Sequence, residues 1–268
     1  MTLQNVMIGE LPVDILLPAI CAGLLVIATH IPLGTQVLQR GIIFIDLAIA
    51  QVAGLGAYLV TMLLGKEVDA VWVQCGAVSL ALFAAWMLVV TERLSARYQE
   101  PIIGIVFALS ATAVILLLAK DPQGGQHLSD LLAGQILWIS RTQILYSAAA
   151  TLALLLAMYF FRGRRGAFYS LFAIAITVSV QLVGVYLVFA TLIIPALATV
   201  SIRSAKMRMF SSYATAMVGY GIGLMGSAWF DLPTGPLIVW TLAATGVLSY
   251  YLYRYFVASP ARDQTNDR

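Results

Sequence analysis

The sequence predicts an all-α membrane protein, a polytopic helix bundle with about eight or nine membrane segments and one broken helix. Of its 268 residues, 61% are hydrophobic and 10% are charged, and the mean hydropathy is +0.93. Soluble domains are typically about 45–50% apolar and about 25% charged. Apolar runs of roughly 20 residues, long enough to cross a bilayer as a helix, recur along the chain. We expect residues 1–258 to form one transmembrane domain and the polar tail, 259–268, to be disordered.

The first half of the chain contains four apolar runs, each bounded by charged residues, glycine or proline. They are Val13–Ile31, Ile42–Leu64, Val71–Val90 and Ile102–Ala119. The polar stretch KDPQGGQH follows, and then an apolar piece, LSDLLAGQILWIS, that is too short to cross a membrane. We therefore predict four spans and one short segment at the outer surface.

The second half contains a run that no single span can accommodate. After a fifth span, Gln143–Phe161, the uncharged stretch Ala167–Ile202 would extend about 54 Å as one helix, against a hydrocarbon core of roughly 30 Å. It must break, and Gly184 and Pro195 are the natural places. We predict a full span, Phe168–Phe189, followed by a short limb that ends near Ile202. Two further spans complete the chain, Phe210–Phe230 and Pro236–Val257.

The basic residues predict the orientation of these spans. With the N-terminus outside and the C-terminus in the cytoplasm, all of the 15 basic residues except Lys66, Lys120 and Arg141 lie on the inner side. This is the bias of a multi-pass membrane protein. The outer side is weakly acidic, and its loop before the fifth span contains His127 and Asp130. A solvated loop is one interpretation of these two residues, and a transient contact with a cation is the other.

Asp46 is an acidic residue inside an apolar run, IIFIDLAIAQVAGLGAYLVTMLL. Charged residues within a membrane segment are expensive and usually face a bundle interior or a water-filled path. Small residues at Ala50, Ala53 and Gly54 share its helical face, which predicts a close helix–helix contact rather than lipid. We interpret Asp46 as the best candidate on an ion path and Gln51 as a second. The alternative is a structural pair between Asp46 and Arg40.

Other polar features are weaker. Gln181 lies in a span just before the predicted helix break, and broken helices line substrate paths in transporters. Cys21 and Cys75 lie in apolar runs and are interpreted as buried small residues. The chain has no phosphate-binding GK[ST] loop, no HExxH or GxSxG motif and two histidines, so we expect no enzyme activity, no cofactor bound by the chain and no nucleic-acid partner.

Four stretches resemble the permease subunits of ABC importers for zinc, manganese or iron. They occur in family order between Gln39 and Val239: RGIIFIDLAIAQVAGLGAYL, QEPIIGIVFALSA, LSDLLAGQILWIS, and QLVGVYLVFATLIIPALAT followed by DLPTGPLIV. The resemblance implies a homodimer in the bacterial inner membrane, cytoplasmic ATP-binding subunits that use ATP, and an extracytoplasmic metal-binding protein. It also implies a transported metal ion and alternating access driven by the ATPase subunits, with zinc or manganese expected first.

This chain departs from the family pattern in two places. The commonest pattern places an Asp and a His, four apart in the second span, on the ion path. Here Gln51 stands at the His position and Leu47 at the Asp position, with Asp46 one residue earlier. The inner link between spans five and six is also short, RGRRGA, so ATPase coupling either passes through other basic loops or is absent. The candidate residues there are Arg93, Arg97, Glu100, Arg203, Lys206 and Arg208.

Two other functions fit the residues. A secondary carrier would move protons through Asp46 without ATP, and would transport alone in liposomes. A scaffold that transports nothing would need Asp46 only for a pair with Arg40, so that Asp46→Asn would leave metal uptake unchanged.

Overall fold

The computed structural model describes residues 13–65, 68–94, 96–119, 132, 134, 136–161 and 164–258. In these ranges the fold is entirely helical, with nine α-helices and two short 3-10 helices. The α-helices are α1 Val13–Arg40, α2 Ile45–Leu64, α3 Ala70–Leu94, α4 Gln99–Leu118, α5 Arg141–Phe160, α6 Arg165–Val183, α7 Val185–Ala198, α8 Ala205–Phe230 and α9 Thr234–Ala258. The polar tail, 259–268, lies outside the described residues.

Seven of the described helices are long and apolar enough to cross a membrane: α1 to α6 and α9. Helix α7 is apolar but has only 14 residues. Helix α8 is long, with 26 residues, and its serine, glycine and tyrosine residues make it less apolar than the seven candidate spans. These nine helices confirm the predicted polytopic bundle.

Helix α1 is longer than predicted. The expected end at Ile31 is wrong, because the helix continues through Pro32 to Arg40. A proline inside a helix leaves the carbonyl four residues earlier without its usual donor. Here that carbonyl belongs to Ala28, and the Tyr213 hydroxyl on α8 donates a hydrogen bond to it at 3.1 Å. A contact from a distant helix therefore compensates for Pro32.

The predicted helix break occurs at Gly184 and not at Pro195. Helix α6 ends at Val183, Gly184 has a φ of +81°, and α7 then continues through Pro195 to Ala198. A positive φ of this kind is strained for any residue with a side chain. The predicted end of the full span at Phe189 is therefore wrong. The helix ends at Val183, and the short limb begins at Val185.

The outer segment packs directly on this break. Gly134 also has a positive φ, +69°, and a Cβ at this position would lie 2.3 Å from the carbonyl oxygen of Val183. The backbone of the segment before α5 thus contacts the backbone at the junction of α6 and α7. This contact needs glycine for both its conformation and its space.

Small residues set the other close helix contacts. A Cβ on Gly34 in α1 would lie 1.9 Å from the carbonyl oxygen of Leu192 in α7, and one on Gly56 in α2 would lie 2.5 Å from that of Gly76 in α3. Such contacts are typical of membrane helices, which associate by close packing rather than by the hydrophobic effect. Helices α6 and α7 are largely buried, whereas α5 is mostly exposed and contacts chiefly α1 and α6.

Candidate functional site

The candidate site lies at the beginning of α2. Because α2 begins at Ile45, Asp46 is in its first turn, where the helix dipole favours a negative charge. Its side chain is nevertheless only 1% exposed. Ala50 and Ala53 on the same helical face are buried too, which agrees with the predicted helix–helix seam. Asp46 thus lies inside the protein at one end of the bundle.

The carboxylate of Asp46 is not paired with any described side chain. Both of its oxygens are buried without a side-chain partner among the described residues, and the polar groups nearest to them are the backbone N–H groups of Asp46 and Leu47. A buried carboxylate without a partner costs several kcal/mol, roughly, if it stays ionised. An arrangement of this kind is suited to a group that is neutralised by a cation or a proton arriving from outside the chain.

Glu100 completes the site from a second helix. It is in the first turn of α4, and its Oε1 accepts a hydrogen bond from the backbone N–H of Phe44, just before α2, at 3.2 Å. Its other oxygen, Oε2, is buried without a partner among the described residues. Glu100 also lies close enough to Asp46 for their charges to interact. Two carboxylates therefore lie near the N-terminus of α2.

This position was not predicted for Glu100, which the sequence pattern placed with the coupling loops. The available signal was that Asp46 and Glu100 each begin a helix at the same predicted side of the membrane. The apolar residues around Asp46 and Glu100 gave no indication that their two helices are neighbours in the fold. Helix α2 contacts α4 closely in the fold.

The alternative pair between Asp46 and Arg40 is not what the structure contains. The Arg40 guanidinium lies 3.8 Å from a carboxylate oxygen of Glu92 and 4.2 Å from the centre of the Phe168 ring. Arg40 is thus held by α3 and α6. The premise of the scaffold interpretation, a structural pair for Asp46, is wrong.

The two candidate amides differ in their surroundings. Gln51 is 3% exposed, on the same helix as Asp46 and just over one turn deeper. The side chain of Gln181 is exposed on the surface of α6. One chain therefore places Asp46, Gln51 and Glu100 at or near the beginning of α2, and it does not bring Gln181 together with them.

The histidines and the other candidates lie elsewhere. His30 is fully buried in α1, where its Nδ1 is 3.0 Å from the Val26 carbonyl, and its Nε2 has no partner among the described residues. His30 is therefore a packing residue inside the bundle. His127 and Asp130 lie outside the described residues. Within the described ranges, no group of three or more His, Cys, Asp or Glu side chains could hold a resident metal.

Apart from Glu100, the predicted coupling residues divide into two groups. Arg93, Arg97, Arg203 and Lys206 are exposed, as residues that meet a partner subunit must be. Arg208 is only partly exposed and lines a cavity with Arg40 and Arg164. We refer to the end of the bundle that carries Arg40, Arg93, Arg164 and Arg208 as the basic end.

Comparisons with known proteins agree with this fold. The model of the family described as "ABC 3 transport family" matches residues 12–164 and 162–252. A "Probable metal transport system membrane protein" of Chlamydia trachomatis is 23% identical over 83% of this chain and 87% of its own length. A "Probable iron transport system membrane protein" of Haemophilus influenzae is 25% identical over 56% of this chain, and the match spans 64% of that protein.

A solved structure has the same fold. The chain is similar to one in "PsaBC from Streptococcus pneumoniae in complex with Fab", with a TM-score of 0.71 and 22% identity. The similarity covers 88% of this chain and 91% of that one. At 22% identity, this similarity is evidence for a shared fold only.

Proposed function

Because the chain belongs to the ABC 3 transport family, we propose that it is the membrane-spanning permease subunit of an importer for a divalent transition-metal ion. Two copies form the path, cytoplasmic ATPase subunits bind and use ATP, and an extracytoplasmic metal-binding protein delivers the ion. The names of the relatives, metal and iron transport proteins, support this substrate class. The chain itself catalyses no reaction.

The observation that carries the proposal is the buried carboxylate of Asp46. It lies in the second span, both of its oxygens lack a side-chain partner among the described residues, and a second carboxylate, Glu100, lies nearby. A cation that passes Asp46 and Glu100 neutralises their charge but is not held tightly by them. Weak binding of this kind suits transport, since the ion must also leave.

The donor atoms near the path favour manganese over zinc. Asp46, Glu100 and Gln51 offer carboxylate and amide oxygens, which suit harder ions such as Mn²⁺. Zinc binds well to imidazole and thiolate, and the histidine expected beside Asp46 is replaced by Gln51. We therefore place manganese first, and iron(II) and zinc become the ions to compare with it.

In the proposed mechanism, ATP binding to the partner subunits changes the relative stability of two arrangements of the permease pair. One arrangement admits the ion from the outside and the other releases it to the cytoplasm, so the chain binds the ion differently in its two states. The basic end faces the cytoplasm of a bacterium and the N-terminus lies outside, as the positive-inside rule requires. The exposed Arg93, Arg97, Arg203 and Lys206 then meet the ATPase.

A proton-coupled carrier is the second candidate, because two carboxylates with unpartnered oxygens are also suited to proton transfer. The two functions differ in their energy source. An ABC permease needs its ATPase, whereas a secondary carrier transports alone when a proton gradient is imposed.

Uptake of metals by cells tests the proposal. A strain that lacks its own manganese, iron and zinc importers is given this chain with its ATPase and binding protein, and accumulation of each metal is measured. We expect Asp46→Asn to reduce manganese uptake at least about tenfold, as expected for loss of a charge from a path. Asp69→Asn, which removes an exposed acid near the start of α3, is the matched control and should transport normally. Normal uptake by Asp46→Asn would contradict the proposal.

A further inference from the structure

A cavity of about 610 Å³ lies at the basic end, between the ends of α1, α5, α6 and α8. Its polar lining residues, here called the polar side, are Thr35, Gln36, Gln39, Arg40, Arg164 and Arg208. The ion path through Asp46 does not include this cavity, since none of its lining residues comes from α2 or α4. It is separate from the proposed ion path, and one of its residues, Arg208, is also a predicted ATPase-coupling residue.

The polar side carries positive charge that the described residues leave largely uncompensated. Arg40 has Glu92 as an acidic partner, at 3.8 Å. Arg164 and Arg208 form no ion pair in the part of the chain that the structure describes. Helices α6 and α8 also begin at this cavity, directly after Arg164 and at Ala205, and helix N-termini favour anions. A ligand that binds beside these positively charged groups would be an anion.

Most other lining residues are apolar. We call four of them, Leu155, Met158, Tyr159 and Leu171 of α5 and α6, the apolar wall. Helix α5 is mostly exposed along its length, and Tyr159 is 75% exposed at the cavity. Aromatic residues of this kind are enriched where the bilayer meets water. The apolar wall is therefore continuous with the surface that lipid covers.

An anionic group beside an apolar wall at the membrane boundary is the chemistry of a phospholipid. Basic pockets between membrane helices on the cytoplasmic side bind anionic lipid headgroups. A small soluble anion would use the arginines and leave the wall unused. A metal cation would be repelled by the guanidinium groups.

We propose that this cavity binds an anionic phospholipid of the cytoplasmic leaflet. Its phosphate lies between Arg164 and Arg208, and its acyl chains lie along Leu155, Met158 and Tyr159. Guanidinium groups bind phosphate through paired, charge-assisted hydrogen bonds. The leaflet follows from the orientation given under the proposed function, but the binding site does not depend on which ion is transported.

The test uses the full-length chain purified in detergent and its binding of phosphatidylglycerol, measured by native mass spectrometry and by the shift in melting temperature. Phosphatidylcholine is the neutral comparison. We expect Arg164→Gln with Arg208→Gln to weaken phosphatidylglycerol binding at least about tenfold. The matched control is Arg203→Gln with Lys206→Gln, which removes the same charge from exposed positions outside the cavity. It should bind the lipid like the wild type.

Two further measurements separate the headgroup from the chains and binding from folding. Leu155→Trp retains every arginine but fills the apolar wall, so it should weaken binding of phosphatidylglycerol and not of glycerophosphate. Arg164→Lys with Arg208→Lys retains the charge and should preserve most of the binding, which shows that the glutamine variant has lost charge and not its fold.

Three results would overturn the proposal. Equal loss of lipid in the Arg203 and Lys206 control would show general surface attraction. Equal stabilisation by glycerophosphate and by phosphatidylglycerol would show a site for a small anion. Displacement of the lipid when the ATPase subunit is added, with weaker ATPase binding in the Arg164 and Arg208 variant, would show that an acidic segment of that subunit occupies the cavity.

Discussion

Glu100 in the first turn of α4 accepts a hydrogen bond at 3.2 Å from the backbone N–H of Phe44, directly before α2. This contact joins the beginnings of two membrane helices and holds a second carboxylate beside Asp46. Negative charge at a helix N-terminus stabilises the helix, and two negative charges close together repel each other. The same residue thus anchors α2 and places a second negative charge near Asp46.

Glu100→Gln separates these two effects. The amide oxygen can still accept the hydrogen bond from Phe44, so we expect the free energy of unfolding to fall by less than about 1 kcal/mol. The loss of charge should reduce manganese uptake several-fold, because the cation meets one carboxylate instead of two. Uptake and thermal unfolding are measured on the same preparations. Wild-type uptake by Glu100→Gln would show that Glu100 acts only as a helix anchor.

Gln51→His tests the basis of the metal preference. Gln51 is buried just over one turn beyond Asp46, and the substitution places an imidazole nitrogen where the family most often has one. Because zinc prefers nitrogen ligands to amide oxygens, the ratio of zinc to manganese uptake should rise severalfold. Competition between the two metals at equal concentration measures the ratio. An unchanged ratio would show that Gln51 does not contact the ion.

Gly134→Ala tests the contact between the outer segment and the helix break. The added Cβ would lie 2.3 Å from the Val183 carbonyl oxygen, at a residue whose φ is +69°. We expect a loss of at least about 2 kcal/mol of stability, since strain and overpacking both oppose the change. Gly221→Ala in α8 is the control, because its Cβ meets no atom within 4 Å. A Gly134→Ala protein that melts with or above this control would contradict the contact.

Tyr213 and Pro32 form a testable pair across α1 and α8. Tyr213→Phe removes the donor to the Ala28 carbonyl, and we expect it to cost about 1–2 kcal/mol. In a Pro32→Ala background the restored N–H can serve that carbonyl, so the same substitution should cost less. A double-mutant cycle on thermal stability measures the difference. Equal costs in both backgrounds would show that the tyrosine does not compensate for the proline.

The sequence was sufficient to predict the bundle because each span is a long apolar run with charged ends. It was also sufficient for the break at Gly184, because an uncharged run too long for one crossing must bend where glycine allows it. The ends of the helices at Pro32 and Pro195 were wrong. At Pro32 the carbonyl left without its donor is served by a tertiary contact from Tyr213, and no local pattern shows which distant side chain will arrive. Helix α7 likewise continues through Pro195.

The site was predictable only in part for a related reason. The burial of Asp46 followed from the small residues on its helical face, which are a local signal. The position of Glu100 depends on how α2 and α4 pack, and the exposure of Gln181 depends on which face of α6 meets its neighbours. These are relations between helices that are distant in sequence.

The central claim is that metal passes Asp46 under the control of an ATPase. Its most direct test is manganese accumulation in proteoliposomes that contain this chain and its ATPase partner, with a manganese-sensitive dye inside. We predict accumulation that requires ATP and that Asp46→Asn lowers at least about tenfold, while Asp69→Asn transports normally and both variants retain the ATPase. Transport at the wild-type rate by Asp46→Asn, or transport by the chain alone under an imposed proton gradient, would contradict the account.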